Sequence, residues 1–187
     1  PVIKQEQIFV ASKSGTITAL ELLNGRKLWQ ETIGQTITSG PAVGEGVLVI
    51  VSKQPQIIAL AAESGDVLWR TAVSNQVLAP PAISRGRVIF KTVDGQVLAL
   101  ELRTGKHLWT YKHGAPTLVL RPSSAPQIIA NKVILGFSDG VLTALSLANG
   151  NLLWERSVAY PQGVTMADQL VDIAADPIMA YMSKPQI

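Results

Sequence analysis

An eleven-residue segment, Ala-Leu-Glu-Leu-Leu-Asn-Gly-Arg-Lys-Leu-Trp at 19–29, returns at 59–69, 99–109 and 144–154. Every copy begins Ala-Leu, carries Gly at its seventh place (Gly25, Gly65, Gly105, Gly150) and ends Leu-Trp. The four tryptophans Trp29, Trp69, Trp109 and Trp154 lie 40, 40 and 45 residues apart, and the chain has no other Trp. Self-similarity at about 40–45 residues marks a propeller or solenoid array and outranks any local signal.

Each copy reads as a hairpin. In the first, Thr16 to Glu21 is rich in β-branched and apolar residues, as strands are. Asn24-Gly25 supplies a tight turn, where Gly takes positive φ without a Cβ clash. Ser64-Gly65, Thr104-Gly105 and Asn149-Gly150 do the same job in the other copies. Leu28 and Trp29 are neighbours and must point to opposite faces of a strand. Both are large and apolar, so each sheet is expected to be covered on both faces. Antiparallel sheets covered on both faces fit blades packed around an axis. The tryptophans are accordingly expected between blades rather than against a ligand.

The 187 residues suffice for one domain with a sizeable core. Apolar runs are strand-length, such as 47–51, and none reaches the 18 residues of a membrane-spanning helix. No signal-peptide pattern stands at Pro1, which implies either a cytosolic chain or a removed leader. Cysteine is absent, which excludes disulfides and thiolate metal sites. The net charge of +3 is small, and the cations Lys13, Arg26, Lys53, Arg85, Arg103, Lys106 and Lys132 are scattered near turns. A nucleic-acid groove needs clustered cations with interleaved aromatics, so nucleic acid is not an expected partner.

The repeats divide the chain into an incomplete blade at 1–35, blades at 36–75, 76–116 and 117–159, and a loop with the first strand of a next blade at 160–187. Before Ile8 no counterpart of the 36–43 segment is visible. The fold class is therefore all-β: a β-propeller of four-stranded antiparallel blades, about four blades of an eight-bladed ring. A closed ring of four, completed by residues 172–179, is the other arrangement the repeats allow. Two stretches break the rhythm, 117–128 and 160–172, and long loops on a regular scaffold are where binding residues concentrate.

The eleven-residue motif resembles the repeat of the quinoprotein-type (PQQ-like) eight-bladed propellers over nearly the whole chain. The irregular parts resemble the BamB family, lipoproteins of the machinery that inserts β-barrels into the bacterial outer membrane. Leu-Val-Leu-Arg-Pro-Ser-Ser-Ala-Pro at 118–126 is similar to that family's Leu-x-Leu-Arg-Gly-x-Ser-Ala-Pro. Residues 167–177 are similar to its Asp-Arg-Leu-x-Asp-Val-Asp-x-x-Pro, and 139–145 follow its blade pattern. The resemblance implies that the two loops dock BamA, the barrel subunit, through Leu118, Leu120 and Arg121 in the first loop and Asp172 in the second. The family's second aspartate falls on Ala174 and its Gly on Pro122, both departures; Asp176 offers a carboxylate two residues further along, about 7 Å on a strand. The resemblance further implies unfolded outer-membrane proteins as a second class of partner, met by strand addition at an exposed edge. It implies the periplasmic face of the outer membrane, with membrane attachment only through an upstream lipid anchor.

The residues themselves agree in kind with an interface. Leu118 and Leu120 face the same way in an extended segment, and Arg121 beside them offers a planar fork of donors. Apolar anchors next to Arg are the composition of an interface hot spot. The other role open to them is structural, with the leucines in a core and Arg121 clamped to Asp172.

The rival class is a PQQ-dependent dehydrogenase, which shares the repeat. Calcium in such an enzyme needs six or more converging oxygens, whereas the acidic residues here are spread one or two per turn. Asp94 and Asp139 sit in Asp-Gly turns, where the side chain bonds the local backbone. His107 and His113, the only histidines, have no nucleophile or metal-ligand partner nearby in sequence. No catalytic set emerges, and neither cofactor nor metal is expected.

Overall fold

A computed structural model of the chain describes residues 1–114, 124–158 and Pro177. Among the described residues there is no helix; sixteen strands form four antiparallel sheets of four. The first sheet holds β1 (Val2–Lys4), β2 (Gln7–Ala11), β3 (Thr16–Glu21) and β4 (Lys27–Thr32). The second holds β5 (Ile37–Gly44), β6 (Val47–Ser52), β7 (Gln56–Ala61) and β8 (Val67–Ala72). The third holds β9 (Ala82–Ser84), β10 (Arg87–Lys91), β11 (Gln96–Glu101) and β12 (His107–Lys112). The fourth holds β13 (Gln127–Ile129), β14 (Lys132–Gly136), β15 (Val141–Ser146) and β16 (Leu152–Ser157). In each the strands lie in chain order, so every connection within a sheet is a hairpin. Three residues suffice for β1, where the sequence shows no counterpart of the 36–43 segment; its partner is β2, in the register Val2 to Phe9.

The repeated motif is the hairpin between the third and fourth strands. Its Ala lies opposite its Trp in each sheet: Ala19 with Trp29, Ala59 with Trp69, Ala99 with Trp109 and Ala144 with Trp154. A bulge follows each of these alanines and re-aims the strand. In the turn, the side-chain oxygen before the Gly accepts the backbone N–H two residues on. Asn24 takes it from Arg26, Ser64 from Asp66, Thr104 from Lys106 and Asn149 from Asn151. The next residue, the Gly, has φ between +70° and +83° in all four copies. The motif is thus a recipe for one hairpin plus one projecting indole.

Three apolar cores lie between successive sheets. Phe9 and Ile17 of the first sheet pack with Leu48, Ile50, Ile58 and Leu60 of the second. Val47, Val49 and Val51 of that same strand β6 point the other way, against Val88, Phe90 and Leu100 of the third. Ile89, Val97 and Trp109 of the third meet Val133, Leu135 and Leu145 of the fourth. The alternation along β6 explains why its six residues are all buried.

The outer strands differ from the sequence expectation of two covered faces. Trp69 and Trp109 are buried, but Leu68, Leu108 and Leu153 are 44%, 40% and 48% exposed. Leu28 alone among these leucines packs against a core, and it is half-buried. Two covered faces therefore belong to the inner strands.

Candidate functional site

Leu118, Leu120, Arg121, Asp172 and Asp176 lie outside the described residues, as do residues 117–123 of the first irregular stretch and all of the second, 160–172. The structure describes what flanks the first loop. His113 and Gly114 precede it, following β12; Ser124 follows it, buried, its hydroxyl donating to the Gly136 carbonyl at 3.4 Å.

His113 is the focus of a polar cluster between the third and fourth sheets. Its ring stacks on Phe137, centroids 3.9 Å apart and planes 18° from parallel. Nε2 lies 2.7 Å from Asp139 Oδ2, and Nδ1 lies 3.5 Å from Glu155 Oε1. The side chain is 7% exposed. Glu155 Oε1 also accepts the Tyr111 hydroxyl at 2.7 Å and the Thr143 hydroxyl at 3.4 Å. Burial first, and then the Glu155 carboxylate it donates to, push the Tyr111 phenol well above its ordinary value. On the neighbouring β10, buried Lys91 donates to the Gly136 carbonyl and lies 5.2 Å from the Phe137 centroid. Sequence alone offers no sign of this cluster, because His113 is 26 residues from Asp139 and 42 from Glu155. Asp139 does bond its own turn as expected, accepting from the Val141 N–H at 3.2 Å, but its second oxygen faces His113.

His107, by contrast, stands exposed on β12 with Nε2 2.7 Å from the Thr110 hydroxyl. Asp94 is bonded within its own turn by Thr92 and Gln96, and Asn75 also reaches its carboxyl. Among the described residues no group of three or more His, Asp or Glu is placed to hold a metal ion.

The structural repeat residues come together in pairs from different sheets. The Trp29, Trp69 and Trp109 indoles donate to the carbonyls of Ala62, Leu102 and Leu147, each in the following sheet, at 2.9, 2.9 and 3.1 Å. The same indoles lie over Gly65, Gly105 and Gly150. Gly25 has nothing within 4 Å of the place a Cβ would take, and Trp154 is half-buried.

A cleft of about 580 Å³ opens near the links between the first three sheets, with Lys13, Lys53, Thr36, Thr38, Gln76 and Leu78 among its walls. It is basic at its rim and carries an apolar floor at Ala11 and Ile37.

Comparison with known proteins adds the following. Residues 3–185 match the family model described as outer membrane protein assembly factor BamB. The protein of that name from Legionella pneumophila (strain Paris) is 48% identical over 180 residues, covering 96% of this chain and 47% of its own length. The crystal structure of BamB from Moraxella catarrhalis is similar with a TM-score of 0.87 at 29% identity, over 94% of this chain and 53% of that one. A quinohemoprotein alcohol dehydrogenase from Comamonas testosteroni reaches a TM-score of 0.67 at 15% identity, over 84% of this chain and 34% of its own; that likeness is one of fold. The chain spans about half the length of the relatives it matches.

Proposed function

The chain belongs to the family of the outer membrane protein assembly factor BamB, and on that premise we propose that it is a non-enzymatic scaffold of the apparatus that assembles β-barrels in the bacterial outer membrane. The observation that carries this is the family match across residues 3–185 together with the 48% identical relative of that name. The work is binding. Sheets locked to one another by interleaved indoles are the scaffold, and the two irregular loops meet the partner. The partner is the barrel subunit, and the contacts are Leu118, Leu120 and Arg121 from one loop with Asp172 and Asp176 from the other. The place of action is the periplasmic face of the outer membrane.

The flanks of the first loop support this use. Ser124, buried on one side, and His113, enclosed on the other, pack against the sheets, so the nine-residue link between Gly114 and Ser124 starts and ends on a firm base. The dehydrogenase-like neighbour shares the fold, and fold alone assigns no chemistry.

Co-purification of the periplasmic domains of the barrel subunit with wild type and with Arg121→Ala tests the proposal. Loss of the partner with thermal unfolding unchanged is the expected result. An equal loss of thermal stability means that Arg121 is a structural clamp instead. Absorbance of a bound quinone, or melting that rises with calcium, would move the assignment to the dehydrogenase class.

A further inference from the structure

We propose that the cleft at the links between the first three sheets is a binding site for a small organic carboxylate with an apolar body, its head held by Lys13, Lys53 and the buried Ser39 hydroxyl. The site is separate from the docking residues of the reading above and stands or falls without them.

The entry into β5 brings the two lysines together. In the β2–β3 turn the Lys13 carbonyl accepts the Ile37 N–H at 3.1 Å; in the β6–β7 turn the Lys53 N–H donates to the Thr36 carbonyl at 2.7 Å. Residues 36 and 37 are therefore bracketed by one lysine from each of the first two sheets. Both side chains are exposed and line the cleft, and neither has an ion-pair partner among the described residues. The walls include no aspartate or glutamate. Two uncompensated cations on one cleft of about 580 Å³, a volume suited to a small ligand, attract an anion.

Ser39 separates a ligand site from a merely solvated rim. It is 3% exposed, it lines the cleft, and its hydroxyl has no hydrogen-bond partner. A buried hydroxyl left unpaired is destabilising, and native structures leave few. The repeat shows that the fold does not require this one. Thr-Ile-Thr-Ser-Gly-Pro-Ala-Val at 36–43 corresponds to Gln-Val-Leu-Ala-Pro-Pro-Ala-Ile at 76–83, which places buried Ala79 where the second sheet has Ser39. In the fourth sheet Ser124-Ala125-Pro126 corresponds to Ser39-Gly40-Pro41, and there the hydroxyl donates to the Gly136 carbonyl.

The strand is also opened at this point. The pairing of β5 with β6 shifts register between Ile37 and Ser39 and again between Ser39 and Ala42. Gly40 has nothing within 4 Å of the place a Cβ would take, whereas the third sheet has Pro80 there. The rest of the lining chooses among anions. Ala11, Ile37 and Leu78 are apolar, and inorganic phosphate makes no use of them. A carboxylate on a hydrocarbon body uses both parts, its head on the lysines and Ser39 and its chain on Ile37 and Leu78.

Amide chemical-shift titration with octanoate tests the site, with inorganic phosphate and octanol as probes that each carry half of the chemistry. Octanoate is expected to give saturable shifts at Lys13, Thr38, Ser39, Gly40 and Lys53, and the other two to bind about tenfold more weakly. The double variant Lys13→Gln, Lys53→Gln is expected to weaken octanoate about tenfold. Ser39→Ala, which installs the third sheet's residue, is expected to weaken it about three- to tenfold without lowering the melting temperature of the free protein. Absence of saturable shifts, phosphate or octanol binding as tightly as octanoate, or affinity unchanged in either variant overturns the proposal. So does a fall in melting temperature on Ser39→Ala, which would mean that the hydroxyl is paired within the fold. Co-purification of the barrel subunit's periplasmic domains is expected to be the same for wild type and both variants. Its loss would make the cleft part of the docking surface and overturn the small-ligand assignment.

Discussion

The Trp69 indole lies so close over Gly105 that a Cβ there would sit 2.5 Å from Cε3 and 2.6 Å from Cδ2. The same relation joins Trp29 to Gly65 at 2.6 Å and Trp109 to Gly150 at 2.5 Å. Motif Gly and motif Trp are therefore one device divided between neighbouring sheets. The turn must lack a side chain so that the indole can reach a carbonyl beyond it, as Trp69 reaches Leu102 at 2.9 Å.

Gly105→Ala is expected to cost about 2–4 kcal/mol, combining a positive φ with overpacking against the ring and the Thr71 hydroxyl. Gly25→Ala has the same kind of φ, +72°, but open space above it, and is expected to cost about 1 kcal/mol. Equilibrium urea unfolding of the two variants separates backbone strain from collision. Equal losses would show that the indole moves aside at no cost.

The repeat was legible because it is local: one hairpin, its turn and its indole lie within eleven residues. The fate of Leu68 and Leu108 was not. Period-two alternation assigns them to the face opposite Trp69 and Trp109, but whether that face is covered depends on packing between sheets, which no single hairpin encodes. The His113 cluster was hidden for a related reason. Its partners come from the next sheet, and Asp139 reads from sequence as an ordinary turn carboxylate, a role that it also fills. The docking residues Leu118, Leu120, Arg121, Asp172 and Asp176 rest on resemblance and on their chemistry, and are carried by the proposed function.

A second regularity invites a stabilising change. Gln5, Glu45, Arg85 and Ala130 all have positive φ, 51° to 54°, at the same place in the first hairpin of each sheet. Three of the four are followed in the turn by residues that a left-handed turn tolerates well, Gly46, Gly86 and Asn131. Ala130, with φ 53°, has a Cβ clash and no side-chain bond to offset it. Ala130→Gly relieves the clash and adds some chain entropy to the unfolded state, for a net gain of about 0.5 kcal/mol. Differential scanning calorimetry should show a rise of about 1–2 °C; a fall would mean that the unfolded-state entropy outweighs the strain.

The Asp94 turn provides a pH dependence with a definite sign. Burial pushes the Asp94 carboxyl up, but hydrogen bonds from Thr92, Gln96, its own backbone N–H and Asn75 together outweigh it and hold the group below its ordinary value. A carboxyl depressed in the folded state binds its proton more readily when unfolded. Its contribution to stability is complete above the unfolded value, about 3.9, and is lost as pH falls through the lower folded value. Asp94→Asn removes the charge while keeping the size. The difference in urea midpoint between wild type and the variant should therefore be constant from neutral pH down to about pH 5. It should then shrink through the acid range and be smallest below the folded value. A difference that persists unchanged in strong acid would mean that the turn is held by the shape of the side chain, with its charge contributing nothing.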